Sequence, residues 1–237
     1  MHYLQKFIPE RLKILYKKNL PVSKKVRWGS FRNLQPFNRD FGAYVGTAVD
    51  RYYIEKFLHS QATFIRGNVL EIAETRYTEK FASGEYKAHA LHLKKTGSEN
   101  EIVGDLVTGK GLVSESFDCA IVTQTLPFIY DFRSAINNLK RILKPNGVLL
   151  ATLSGISQVS RFDMDRWGDY WRFTGLSSAQ VFAEYFPLQK IQVSQYGNAL
   201  VATAFIQGIV AEELKKDELD YYDEDYPVSI CVKASKN

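Results

Sequence analysis

Cysteine is scarce in this chain: there are two among 237 residues, Cys119 and Cys231, each set in an apolar run. That excludes a disulfide framework and reads as two small buried hydrophobes in a reducing compartment. Histidine is nearly as rare, four in all, and no histidine or cysteine cluster has zinc-ligand spacing. No apolar run approaches the roughly 20 residues of a bilayer-spanning helix. No apolar core follows the basic residues near the start, so a secretory signal is not expected. Internal repeats and low-complexity tracts are missing too, which excludes solenoids and wholesale disorder. What remains is globular in proportion, 45% apolar and 24% charged, at a length that suits one α/β domain with a short appendage.

Charge is unevenly spread. The net value is +5, yet residues 1–33 carry nine basic side chains (Lys6, Arg11, Lys13, Lys17, Lys18, Lys24, Lys25, Arg27 and Arg32) against one acid, Glu10. Residues 211–225 carry eight acids against Lys215 and Lys216. The basic arm suits contact with an acidic membrane surface, nucleic acid or an anionic substrate. It equally suits a solvated helix that keeps the protein soluble or pairs with the acidic stretch. Aromatic residues interleave with its charges, but no RNA-binding signature accompanies them, so nucleic acid is the least favoured partner.

Along the chain, Leu4, Phe7, Ile8, Leu12 and Leu15 form a helical stripe over 4–18, interrupted at Pro9. Residues 48–59 read as a second helix. Then the pattern changes to short apolar runs: Val69–Ala73, Ala90–Leu93, Ile102–Leu106, Phe117–Thr123 and Val148–Leu153. Between the last two, Ala135, Ile136, Leu139, Ile142 and Leu143 follow helical spacing, and Pro145-Asn146-Gly147 is expected to stop that helix with a turn. Helices are expected over Ser177–Phe186 and Ala199–Leu214, and strands over Ile191–Tyr196 and Val228–Ala234. Continuous apolar strands alternating with helices indicate a parallel sheet covered on both faces, a doubly wound α/β fold. Ligands then lie beyond the carboxyl ends of the strands.

The order of these runs, with an acid ending the first strand, "FD" opening the fourth and "LKPNGVLLAT" entering the fifth, resembles the class I S-adenosylmethionine-dependent methyltransferases. The spacing agrees: about 50 residues from the first run to the fourth and about 75 to the "PNG" turn. "RWG", "DRYYIEKFL", "TQTLPFIYD" and "DRWGDYWRFT" further resemble a subgroup associated with bacterial surface-polysaccharide glycosyltransferases. The resemblance implies a mostly parallel seven-stranded Rossmann-like sheet, a basic N-terminal helical extension over 1–40 and a methyltransferase-like domain over 41–237. It implies S-adenosylmethionine as cofactor, a glycan or nucleotide-sugar-linked acceptor, a glycosyltransferase as partner, and a cytoplasmic placement with the basic arm reaching a membrane surface. There are two departures. The loop after the first strand is Ala73-Glu74-Thr75-Arg76-Tyr77 instead of glycine-rich, and Lys94-Lys95 stand where an acid usually takes the ribose hydroxyls.

By resemblance, Glu71, Ala73, Tyr77, Asp105, Leu106, Gln124 and Thr125 face the cofactor. Glu71 has a structural alternative as a strand-end or helix-terminal charge, and Asp105 as a turn residue. Residues 161–174 gather aromatics, acids and arginines. Trp167, Tyr170, Trp171 and Arg172, with Arg51 from the helix before the sheet, suit stacking on a sugar and holding its hydroxyls or an anionic group. The alternative for 161–174 is an ordered lid packed on the sheet edge. For Asp50 beside Arg51 it is a helix N-cap. An alcohol acceptor profits from a general base, for which Asp131 or an acid of the 163–169 cluster would serve, Asp169 first; His89 and His92, on either side of the second strand, read as satisfied structural histidines before catalytic bases. No metal ligand set is expected. The competing function is a methyltransferase fold that no longer uses the cofactor and scaffolds polysaccharide assembly.

Overall fold

The structure is a computed structural model that describes residues 27–237; the helical stripe over 4–18 lies outside these residues. Residues 27–35 hold one 3-10 turn, Gly29–Arg32. Residues 36–237 form one compact unit. Its elements are α1 (Val49–Ser60), β1 (Gly67–Ile72), α2 (Arg76–Phe81), β2 (Tyr86–His92), β3 (Glu101–Val103), β4 (Phe117–Thr123), α3 (Phe132–Ile142), β5 (Leu143–Ser154), α4 (Arg161–Met164), α5 (Gly175–Ala183), β6 (Ile191–Tyr196), α6 (Ala199–Gln207), α7 (Lys216–Asp220) and β7 (Ser229–Ser235).

The seven strands lie in the order β3-β2-β1-β4-β5-β7-β6. β1 to β5 are parallel, and β7 runs antiparallel between β5 and β6. This is the doubly wound, mostly parallel sheet that the alternating pattern implies. The apolar runs are continuous because both faces are covered. Leu70, Ala120, Val122, Leu149 and Ala151 face α3 and α5 through Ile136, Leu139, Ile142 and Phe182. Their neighbours Val69, Cys119, Ile121 and Leu150 face α1 and α2 through Ile54, Phe57, Leu58 and Tyr77. Both cysteines are free and buried, and burial pushes their thiols well above the ordinary range.

Three local expectations change. β5 starts at Leu143, paired with Phe117, so Pro145-Asn146-Gly147 do not separate helix from strand. They form an irregularity inside β5, with Asn146 at φ 62° and regular pairing resumed at Val148 opposite Cys119. The helix expected over 199–214 ends at Gln207, because Gly208 takes φ 70° as its C-cap and a Cβ there would collide with the Asn38 carbonyl. Asp50 is not the cap of α1: Ala48 holds that position and Asp50 lies in the first turn.

The chain builds β1, β2 and β3 outward, then returns across β1 to lay down β4. The sheet therefore reverses its winding between β1 and β4, where flanking connections diverge and leave a crevice at the carboxyl edge. Among the described residues no helix is long and apolar enough to cross a membrane.

Candidate active site

Two adjoining cavities occupy that edge. The larger, of about 700 Å³, runs from the ends of β2 and β3 (Leu91, His92, Leu93, Asp105, Leu106) across Ala73 to the end of β4 (Thr123, Gln124, Thr125). Phe162, Arg166, Trp167 and Tyr170 stand over it. The smaller, of about 400 Å³, lies over β4 and β5 against the start of α1, lined by Asp50, Arg51, Gln124, Ser154, Ser157, Ser160, Asp169 and Arg172 among others. Volumes of this size accommodate small-molecule ligands.

The loop after β1 decides whether the larger cavity is open. Ala73 keeps a left-handed backbone, φ 62°, the conformation that a glycine would adopt without strain. Thr75, Arg76 and Tyr77 then turn away from the crevice. Thr75 Oγ1 bonds Glu79 at 2.6 Å, Arg76 pairs with Glu74 at 3.1 Å, and Tyr77 is buried beneath α1, its hydroxyl accepting from Arg51 Nη1 at 3.1 Å. None of the three lines either cavity.

Glu71 is nearly fully buried and caps α2. Its carboxylate accepts the backbone N–H groups of Tyr77 (3.1 Å) and Thr78 (2.9 Å) and the Thr78 hydroxyl (2.9 Å). Burial raises its pKa above the ordinary value against the pull of these bonds. It lines neither cavity, so the structure places it, like Tyr77, behind the loop and not in it. Asp105 lines the larger cavity while its carboxylate closes its own turn, accepting from Val107 N–H at 2.7 Å and Thr108 Oγ1 at 3.0 Å. Gln124, at φ 46°, sits where both cavities meet, its Oε1 accepting from Ser154 Oγ at 2.6 Å. Thr125 Oγ1 is turned back onto the Thr123 carbonyl at 3.0 Å.

The segment after β5 splits the expected acceptor residues. Trp167 and Tyr170 rim the larger cavity, Arg172 and Arg51 line the smaller, and Trp171 lines neither. The Trp171 indole N–H donates to the Tyr130 carbonyl at 3.2 Å and its ring meets Phe132 edge-on, so it anchors the segment to α3. The two expected bases are both committed. Asp131 is exposed at the N-cap of α3, accepting from Ser134 N–H at 3.1 Å, and lines neither cavity. Asp169 lines the smaller cavity with a side chain only 1% exposed, clamped by Arg172 through bonds of 2.5 and 2.9 Å and by Ser160 N–H at 2.9 Å. Burial opposes its charge, but the Arg172 and Ser160 bonds outweigh that and hold its carboxyl below the ordinary range. A carboxylate so held is a weak proton acceptor.

Other residues come to the site that the sequence read as structural, as one acid among several, or not at all. His92 ends β2 and lines the larger cavity, with its Nε2 buried and without a hydrogen-bond partner among the described residues. Asp50 faces the smaller cavity, and burial raises its pKa against the Arg51 charge beside it. Phe128 and Asp163 line both cavities.

Residues 62–151 match the family described as a methyltransferase domain. Among solved structures, a SAM-dependent methyltransferase from Archaeoglobus fulgidus superposes with a TM-score of 0.51 at 10% identity, covering 78% of this chain and 94% of that one. A phosphoethanolamine N-methyltransferase from Haemonchus contortus, solved with phosphomonomethylethanolamine and S-adenosylhomocysteine and also with S-adenosyl-L-methionine, gives 0.51 at 14% identity over 81% of this chain and 54% of that one. A comparison with curated proteins finds no match. The fold is thus that of the class I methyltransferases, and residues 62–151 are similar in sequence to a methyltransferase domain.

Proposed function

We propose that the protein is an S-adenosylmethionine-dependent methyltransferase that methylates a hydroxyl of a sugar in a cell-surface glycan. The observation that carries this reading is the open double cavity at the winding reversal, with Thr75, Arg76 and Tyr77 clear of it although they stand where glycines are usual. The residues present suit the cofactor. The larger cavity is mostly apolar, as a nucleoside's faces require, and its orphaned His92 Nε2 awaits a polar partner. Asp105, Leu106 and Ala73 would flank the nucleoside, with Gln124 and Thr125 beneath its amino-acid end. When bound, the cofactor supplies a methyl group on positively charged sulfur, which an acceptor oxygen displaces in line.

The smaller cavity would take the acceptor. Ser154, Ser157, Ser160 and Arg172 offer the donors and acceptors that hydroxyls need, and Trp167 and Tyr170 at the rim offer flat faces for a sugar ring. Holding the two reactants in register supplies much of the rate by removing orientational freedom. The same reading places the protein in the cytoplasm beside a glycosyltransferase of glycan assembly. Calorimetry with S-adenosylmethionine and S-adenosylhomocysteine tests the first half, with dissociation constants in the micromolar range expected. Transfer of labelled methyl to a polysaccharide acceptor tests the second. Absence of binding by either nucleoside would leave a scaffold of methyltransferase fold instead.

A further inference from the structure

The larger and smaller cavities share three residues, Gln124, Phe128 and Asp163. With the nucleoside in one cavity and the acceptor in the other, the transferred carbon crosses at that junction. Phe128 brings no polar side-chain atom there, and the Gln124 amide takes up no proton near neutral pH. Asp163 is the ionisable group of the three. Every arginine near it in sequence is committed elsewhere: Arg161 pairs with Asp165, Arg172 with Asp169, and the Arg166 guanidinium lies 3.6 Å over the Phe162 ring. The half-buried Asp163 carboxylate accepts from Ser160 Oγ through Oδ2 at 2.5 Å, which steadies it at the start of α4 and leaves Oδ1 for a ligand.

We infer that Asp163 stands at the transfer point and takes the proton of the acceptor hydroxyl as the methyl group leaves sulfur. This rests on the methyltransferase reading above. The acceptor oxygen forms a bond to the methyl carbon. The carbon–sulfur bond breaks with its electron pair kept by sulfur, so the sulfonium becomes a neutral thioether, and the hydroxyl proton passes to the carboxylate. The same carboxylate therefore faces a cation before transfer and a neutral sulfur after it. That difference can be read without knowing the acceptor.

The test compares S-adenosylmethionine and S-adenosylhomocysteine by calorimetry on the full chain and on Asp163→Asn, Asp163→Glu and Asp165→Asn. Removing the charge should weaken S-adenosylmethionine about fivefold or more while S-adenosylhomocysteine changes less than about twofold. Asp163→Glu should keep most of the preference, which separates a charge effect from a disturbed α4, and Asp165→Asn, exposed at the C-cap of α4, should leave both affinities as they were. Equal weakening of the two nucleosides by Asp163→Asn would overturn the inference while leaving the methyltransferase reading intact. Failure of the unaltered chain to bind either nucleoside would overturn both.

Discussion

His92 makes an opposed pair of predictions, one for stability and one for binding. Its backbone belongs to the β2–β3 ladder, with its carbonyl accepting Gly104 N–H at 2.9 Å, so a side-chain change need not disturb the strand. Its Nε2 is shielded from solvent and has no partner among the described residues, in a cavity wall that includes Leu91, Leu93 and Leu106. An unsatisfied buried polar atom costs about 1–3 kcal/mol, and because His92 as a whole is only partly buried the lower part of that range applies. His92→Leu keeps the volume and removes the orphan. It should stabilise the ligand-free protein by about 1–2 kcal/mol, raising Tm by about 3–6 °C for a chain of this length. The same change removes a polar partner from the proposed nucleoside cavity, so S-adenosylhomocysteine should bind about tenfold more weakly. Urea unfolding followed by circular dichroism gives the first quantity and calorimetry the second. A variant that is less stable than the parent, or one that binds the nucleoside equally well, would refute the reasoning. A merely structural histidine predicts loss of stability, and a bystander predicts no change in affinity.

Ala73→Gly should stabilise the protein by about 0.5–1 kcal/mol in urea unfolding, since a left-handed alanine costs about 1–2 kcal/mol and glycine's extra chain entropy returns part of it; Ala73→Val should destabilise. Arg172→Met leaves the nearly fully buried Asp169 carboxylate with Ser160 N–H alone and should cost about 2–4 kcal/mol, much of it recovered in the Asp169→Asn, Arg172→Met double variant; no recovery would mean that packing of Arg172, and not its charge, holds the segment. Because the folded-state pKa of Asp169 is depressed, its stabilisation is fully present above its unfolded value near 4 and is lost as pH falls through the lower folded value. The stability advantage of the parent over Asp169→Asn should therefore hold at pH 7 and shrink below about pH 4. Glu71 carries the opposite sign: its folded-state pKa is raised, so the parent should gain on Glu71→Gln as pH falls from 7 toward about 4.5, and a constant difference across that range in urea unfolding would sink the assignment.

The contrast between what the chain spells out and what it conceals follows from the range of the forces involved. Strand β4 is legible to the residue, Phe117–Thr123, because burial on both faces demands the apolar run Cys119–Val122 and polar residues bracket it. Once the strands are ordered, topology alone carries Ala73, Asp105, Leu106, Gln124 and Thr125 to the carboxyl edge, and the larger cavity holds all five. Glu71 and Asp131 went elsewhere for local reasons. A helix opening at Arg76 leaves N–H groups needing an acceptor, and Glu71 is within reach. Asp131 lies three residues before Ser134, whose N–H its side chain accepts. The second pattern is readable as a cap in the sequence itself. His92 reads as a structural histidine in the sequence because of one residue of register. The apolar run suggests a strand to Leu93 and directs attention to Lys94, whereas pairing with β3 stops at His92, opposite Val103. Beyond β5 the sequence offers Asp163, Asp165 and Asp169 as near equivalents, and what separates them is distant in the chain. The Pro127 carbonyl accepts Tyr170 and Trp171 N–H, and the Gln158 carbonyl accepts from Arg172. These contacts turn Asp169 inward to the arginine and leave Asp163 at the junction of the cavities. Which acid is spent on structure and which remains for chemistry is thus set by bonds between segments, and a pattern of residue types along one segment does not encode them.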